Sequence, residues 1–327
     1  MKLATLKDGS RDGQLIVVSR DLKFAVIANN IAPTLQDLLD SWDFMAPQCE
    51  DLYFQLNHGR APNSFDFDPQ QCMAPLPRAY QFADASAYVD YIELIGKTRN
   101  RDLPDLFRSS PLMHQAASDD FIGACDDIVV VDDGFEVDFE SEVAVITGDI
   151  NMGSAPARAG EFIRLIMLAN DVSLRALIPD EMIKGFGFLQ SKPATSFSPV
   201  AVTPDELGDA WQGGKVHLSL RSSLNGRVVG HPNAGMDMTF SFPQLISHLT
   251  RTRNVRAGTI VGSGAVFNRD GNKGCSSLYG IRALELLSGS ETATPFLRGG
   301  DHIKIEMMDK NGKSVFGAID QKVTKLT

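Results

Sequence analysis

Asp138, Glu140 and Glu142 occupy alternate positions in Val137-Asp138-Phe139-Glu140-Ser141-Glu142-Val143-Ala144-Val145-Ile146. Side chains of an extended chain alternate faces, so the three carboxylates share one side and Val137, Phe139, Val143 and Val145 share the other. The acidic side continues into Ala144 and Ile146, which favour burial. Repelling carboxylates at the edge of an apolar face are costly unless a cation meets them. Hard divalent ions accept carboxylate oxygens, so Glu140 and Glu142 are candidate ligands. A solvated strand edge, charged to prevent aggregation, is the plainer reading of an E-x-E taken alone.

Three further stretches add to it. Asp171 closes the apolar run Leu165-Ile166-Met167-Leu168-Ala169-Asn170 and needs a partner, either Arg175 or a metal shared with the acidic strand. Lys192 follows the aromatic, glycine-rich Gly185-Phe186-Gly187-Phe188. A lysine beside a metal can hold a second negative group, though alone it reads as a surface residue. Gly262-Ser263-Gly264-Ala265 offers small residues that let backbone amides approach an anion, or an ordinary turn.

The elements that must position these residues are mostly strands. Leu15–Val18 and Phe24–Ile27 read as a hairpin, as do the segments flanking Asn225-Gly226 and those flanking Asp309 to Lys313. Helices are expected over Leu35 to Trp42, capped by Thr34, and over Ser86 to Thr98, Ala159 to Ala169 and Phe242 to Thr252. In the third of these Phe162, Ile163, Ile166 and Met167 fall on one helical face. Strands joined by tight turns predict an α+β, β-rich assembly with an antiparallel or mixed sheet. The proline-bearing stretch up to Pro77 predicts a boundary, with a small N-terminal domain over 1–77 and the main domain over 78–327.

Composition bounds the function. The 327 residues carry 43% apolar and 22% charged side chains and a net charge of −10. That acidity argues against nucleic acid as a partner. No apolar stretch is long enough to cross a bilayer, and the first residues lack an apolar signal core, so a cytoplasmic protein is expected. The four cysteines form no CxxC pair and are expected as reduced thiols.

Taken in order, the E-x-E of Glu140 and Glu142, Asn170-Asp171-x-Ser173-x-Arg175, Lys192 before Ser198-Pro199, and Arg256-Ala257-Gly258 leading to Gly262-Ser263-Gly264 resemble the fumarylacetoacetate hydrolase family. The resemblance runs from about residue 80 to the C-terminus, and residues 1–77 look like the smaller N-terminal α/β domain of some bacterial members. It implies a mixed β-roll catalytic domain, usually in a homodimer. It implies a divalent ion, Mg²⁺ first and Mn²⁺ or Ca²⁺ as alternatives, on Glu140, Glu142 and Asp171, with a further acid supplied by Asp84 or Asp90. The implied reaction is hydrolysis of a carbon–carbon bond in a β-diketo acid such as fumarylacetoacetate or an acylpyruvate, through a metal-stabilised enolate. Lys192 and Arg175 are the implied catalytic cations, and Ser263, Gly264 and Ala265 the implied substrate contacts.

The chain departs from the pattern at the water-activating pair. Tyr91, in Asp90-Tyr91-Ile92-Glu93-Leu94, stands where the family has a histidine, and Gly280 stands where it has a glutamate. Glu285 is too far along to replace it. Tyrosine ordinarily titrates near ~10 and is a poor base at neutral pH. His114 is the only histidine nearby in sequence. Ala265 lacks the hydroxyl of the family's threonine. These changes keep open two alternatives: a metal-dependent β-keto acid decarboxylase, and a binder of metal and ligand without catalysis.

Overall fold

The computed structural model describes residues 1–289 and 294–326. An 11-stranded sheet organises the molecule, in the order Phe65–Asp66, Phe24–Ile27, Gln14–Val18, Lys2–Leu6, Ala201–Val202, Ile163–Asn170, Ser141–Thr147, Ile260–Gly262, Phe82–Ala85, Met113–Ala116, with Ser196–Phe197 also paired to Ile163–Asn170. Pairing is antiparallel except between Ile260–Gly262 and Phe82–Ala85. A five-stranded sheet, Arg227–Gly230, Leu220–Leu224, His302–Met308, Ser314–Lys325 and Ile128–Val130, packs beside it. The architecture is the strand-rich α+β class that the turn chemistry predicts.

The hairpins form where expected. Asn225 and Gly226 both take positive φ, 50° and 78°, the geometry that a two-residue turn between right-twisted strands requires. Helices cover Leu35–Asp40, Trp42–Asn57, Val89–Lys97 and Phe242–Leu249. The helix expected over Ala159 to Ala169 does not form. Pro156–Gly160 makes one short helix, and Ile163–Asn170 is a strand. A continuous apolar run satisfies both periods, and burial on both faces decided for the strand. Ile166 and Leu168 enter one core, while Leu165, Met167 and Ala169 enter the other.

The neighbouring strand Ser141–Thr147 is likewise buried along its whole length. Its partner at one edge, Ile260–Gly262, binds it antiparallel with Gly262 opposite Ala144. Residues 1–77 contribute four strands that extend the same sheet through the pairing of Lys2–Leu6 with Ala201–Val202. Among the described residues no helix is long and apolar enough to cross a membrane.

Candidate metal centre

The acidic stretch is not one continuous strand. Val137–Asp138 pairs with Ser173–Leu174, and the next strand begins at Ser141. The break sends the acids to different partners. Asp138 accepts from Arg175 Nε at 2.9 Å and from the backbone amides of Leu278 at 2.7 Å and Tyr279 at 3.1 Å. It therefore anchors a helix start and an arginine, and only Glu140 and Glu142 go on to the cluster.

Glu140, Glu142 and Asp171, all buried, each place a carboxylate oxygen within 4.8 Å of the others. Asp84 joins Asp171 in a second group of the same dimension. Of the two further acids expected, Asp84 reaches the cluster, because Phe82–Ala85 runs parallel to Ile260–Gly262 with Asp84 opposite Gly262. Asp90 lies on the following helix and pairs with Arg108 and Arg269. A Cβ on Gly262 would sit 2.2 Å from Asp84 Oδ1 and 3.1 Å from Glu142 Oε2. Glycine at 262 is thus what lets two carboxylates meet against the sheet.

Two cations hold part of this charge. Lys192 Nζ donates to Glu140 Oε2 at 2.6 Å and to Asp171 Oδ2 at 2.5 Å. Arg175 Nη2 donates to Glu140 Oε1 at 2.7 Å, and its plane lies over the Tyr279 ring. Lys192 is buried, not a surface residue: Thr195, on the same loop, donates to Asp171 Oδ1 at 2.7 Å. Burial opposes ionisation of Glu140, but Arg175 and Lys192 outweigh it and hold its carboxyl at about 2. Burial also works against the Lys192 ammonium, yet Asp171 and Glu140 push its titration up.

Asp84 and Glu142 pair with neither cation, and the pull of Lys192 does not outweigh their burial. Burial, and then the charge of Asp171, raise the Asp84 carboxyl from 3.8 to about 7. Burial, and then Asp84, raise Glu142 well above the usual carboxylate range. Asp84 Oδ1 and Glu142 Oε1 are buried without a hydrogen-bond partner. Orphaned carboxylate oxygens are rare in folded interiors. Hard oxygen donors converging at this separation fit a divalent cation: ligands on opposite sides of an ion at about 2.1 Å lie about 4 Å apart.

Asp84 and Glu140 of the cluster line a cavity of about 680 Å³, together with Arg175, Lys192 and His114. Ile92, Ile95, Leu103, Phe107 and Met182 line the apolar walls, with Arg99 and Arg101 also present. Gly264 and Ala265 face the cavity. Ser263 does not: its hydroxyl donates to the Gly264 carbonyl at 2.8 Å and accepts from the Val143 amide at 3.2 Å. The Ser263 hydroxyl is thus engaged with backbone on the side away from the cavity lining. The Gly264 amide donates to Glu142 Oε2 at 3.1 Å, so this turn orients a carboxylate.

Tyr91 and Gly280 meet across the cavity wall. A Cβ on Gly280 would lie 2.8 Å from Tyr91 Cε2 and 3.0 Å from Cys275 Cβ. The tyrosine fills the volume that a side chain at 280 would need. Its hydroxyl is 2.9 Å from Ser277 Oγ, and burial pushes its titration further up.

Sequence comparison places the whole chain. Residues 81–324 match the model for the fumarylacetoacetate (FAA) hydrolase C-terminal domain, and residues 1–78 match fumarylacetoacetase N-terminal domain 2. The chain belongs to the fumarylacetoacetate hydrolase family. An uncharacterised protein of Archaeoglobus fulgidus is 24% identical over 177 residues, a match covering 54% of this chain and 64% of that protein. The fold is shared with a fumarylacetoacetate hydrolase of Exiguobacterium antarcticum, 16% identical with a TM-score of 0.67 and full coverage of both chains. It is also shared with a maleylpyruvate hydrolase of Sphingobium sp. SYK-6 solved with manganese(II) and pyruvate, 16% identical with a TM-score of 0.66 and full coverage of both.

Proposed function

We propose that this chain is a divalent-metal-dependent hydrolase that cleaves a carbon–carbon bond in a β-diketo acid such as an acylpyruvate or fumarylacetoacetate. The observation that carries the reading is the convergence of Asp84, Glu140, Glu142 and Asp171, two of them with orphaned oxygens, beside a cavity that Asp84, Glu140, Arg175 and Lys192 line. The manganese and pyruvate found in the maleylpyruvate hydrolase of the same fold support it. A divalent ion on these acids supplies Lewis-acid polarisation of a keto group and a counter-charge for the electron pair released from the broken bond.

The chain's own residues do the rest. Arg175 fixes Glu140 from one side and Lys192 from the other, so the carboxylate presented to the ion is already oriented. Lys192 keeps its proton and offers a positive charge to a substrate carboxylate. The apolar walls around Ile92, Ile95 and Phe107 exclude water from the acyl part of the substrate. The protein works in this reading as a homodimer in the cytoplasm.

One observation favours a second reading, decarboxylation of a β-keto acid. Hydrolysis needs an acceptor for a proton of the attacking water. Tyr91, buried and raised, is no such acceptor at neutral pH, and Gly280 has no side chain. Decarboxylation breaks the bond to a carboxylate, passes its electron pair toward the keto group and then needs only a proton returned to carbon.

Purified protein with Mn²⁺ or Mg²⁺ is offered acylpyruvates, fumarylacetoacetate and oxaloacetate while loss of the keto acid is followed by absorbance. Hydrolysis of a diketo acid, abolished in Glu142→Gln, is the expected result. Carbon dioxide release from oxaloacetate alone selects the second reading. Metal-dependent binding without turnover identifies a non-catalytic binder, and absence of any bound divalent ion refutes the metal centre.

A further inference from the structure

His114 is the one imidazole among the described residues that reaches the acidic cluster. It lies on the strand Met113–Ala116, which pairs antiparallel with Phe82–Ala85 so that His114 stands directly opposite Asp84. Its ring nitrogen, an Asp84 oxygen and an Asp171 oxygen lie within 4.8 Å of one another. Asp171 belongs also to the group with Glu140 and Glu142, so the two groups share a corner. The Phe188 ring meets the imidazole edge-on at 5.1 Å between centroids and limits its rotation. His114 Nε2 is buried and has no hydrogen-bond partner. A buried imidazole nitrogen left unpaired beside buried carboxylates is a polar group waiting for a partner.

We propose that His114 is a nitrogen ligand of the metal centre, giving it a mixed imidazole and carboxylate shell. The inference rests on the reading of the acidic cluster as a metal site and goes beyond it. Magnesium and calcium favour all-oxygen shells, whereas imidazole suits first-row transition ions. The centre therefore favours Co²⁺ or another late first-row ion over Mg²⁺ and Ca²⁺. The ligand is not visible in spacing along the chain, because His114 and Asp84 are brought together only by strand register.

The test is pulsed electron paramagnetic resonance of the full chain loaded with Mn²⁺, which detects a directly bound ¹⁴N nucleus. Nitrogen coupling is expected in the wild type and absent in His114→Ala. Co²⁺ affinity, read from its visible absorption, falls about tenfold or more in the variant, the scale seen when a metal site loses a well-placed partner. Mg²⁺ affinity, read by calorimetry, changes far less. Where the alanine variant does not fold by circular dichroism, His114→Gln replaces it, and the wild-type spectrum alone still decides. Bound manganese without nitrogen coupling, or coupling that survives in the variant, overturns this inference and leaves the proposed function standing. Failure of any divalent ion to bind overturns both.

Discussion

Asp84 makes the metal centre visible in stability without any substrate. In the metal-free protein its carboxyl rises from 3.8 to about 7, chiefly through burial and then through Asp171. An acid whose folded value lies above its unfolded value binds more protons in the native state across that window. Stability then falls as pH rises, and the cost is complete above about 7. A rise of roughly three units, at 1.36 kcal/mol per unit, amounts to about 4 kcal/mol at pH 8 and about 2 kcal/mol at pH 5. Asp84→Asn removes the titration while keeping size and shape.

The measurement is differential scanning calorimetry of wild type and Asp84→Asn after metal removal with EDTA, at pH 5 and pH 8. A chain of this length unfolds with an entropy of about 0.7 kcal/mol/K, so the variant's advantage in Tm widens by about 3 °C between the two pH values. Excess Mn²⁺ then reverses the order at pH 8, because the wild type gains the binding free energy and the variant has lost a ligand. A gap between the two proteins that is the same at both pH values refutes the claim that Asp84 sits as an uncompensated acid. So does a wild type that is the more stable of the pair at pH 8 without metal.

Two further outcomes follow from side chains around the cluster. Arg175→Ala leaves Asp138 and Glu140 buried with a cation removed from between them and costs about 3–5 kcal/mol in urea unfolding; Arg175→Lys recovers only part, because an ammonium cannot reproduce the guanidinium's two-sided contact. Gly280→Ala drives a methyl against the Tyr91 ring and Cys275 and lowers stability by about 1–3 kcal/mol, whereas in a Tyr91→His background the same change costs less; equal cost in both backgrounds, read as a double-mutant cycle in Tm, refutes the packing argument.

The charged half of the site was legible because its chemistry is local. Glu140 and Glu142 stand two apart, Asp171 and Arg175 four apart, and each is an anomaly in an apolar setting. What escaped is what depends on register between distant strands. Asp84 could not be told from Asp90, since the choice is made by the parallel pairing of Phe82–Ala85 with Ile260–Gly262. His114 enters only because its strand pairs opposite Asp84. The strand Ile163–Asn170 was misread as a helix because an unbroken apolar run carries both periodicities, and only the presence of a core on each side settles it. Lys192 is marked by the resemblance alone, because nothing in Ser191-Lys192-Pro193 announces that the loop turns inward to Asp171.

Charge constrains the polar end of the cavity more tightly than it constrains Tyr91 and Gly280. Five buried carboxyls, Asp84, Asp138, Glu140, Glu142 and Asp171, face two buried or nearly buried cations, Arg175 and Lys192. Arg175 answers for Asp138 and part of Glu140, and Lys192 for the rest of Glu140 and Asp171. Asp84 and Glu142 remain, and they must share protons or a cation. Replacing Asp138, Glu140, Asp171 or either cation strands a partner at the cost of an unpaired buried charge. Tyr91 and Gly280 are bound by no such constraint. They are coupled by volume and through Ser277 Oγ, which meets the Tyr91 hydroxyl and accepts from the Gly280 amide, and neither carries a charge of the cluster. A site built this way keeps its capacity to hold a metal while its chemistry toward water is free to drift, and the separation of the two is what the substrate assays and the Tyr91 and Gly280 variants measure.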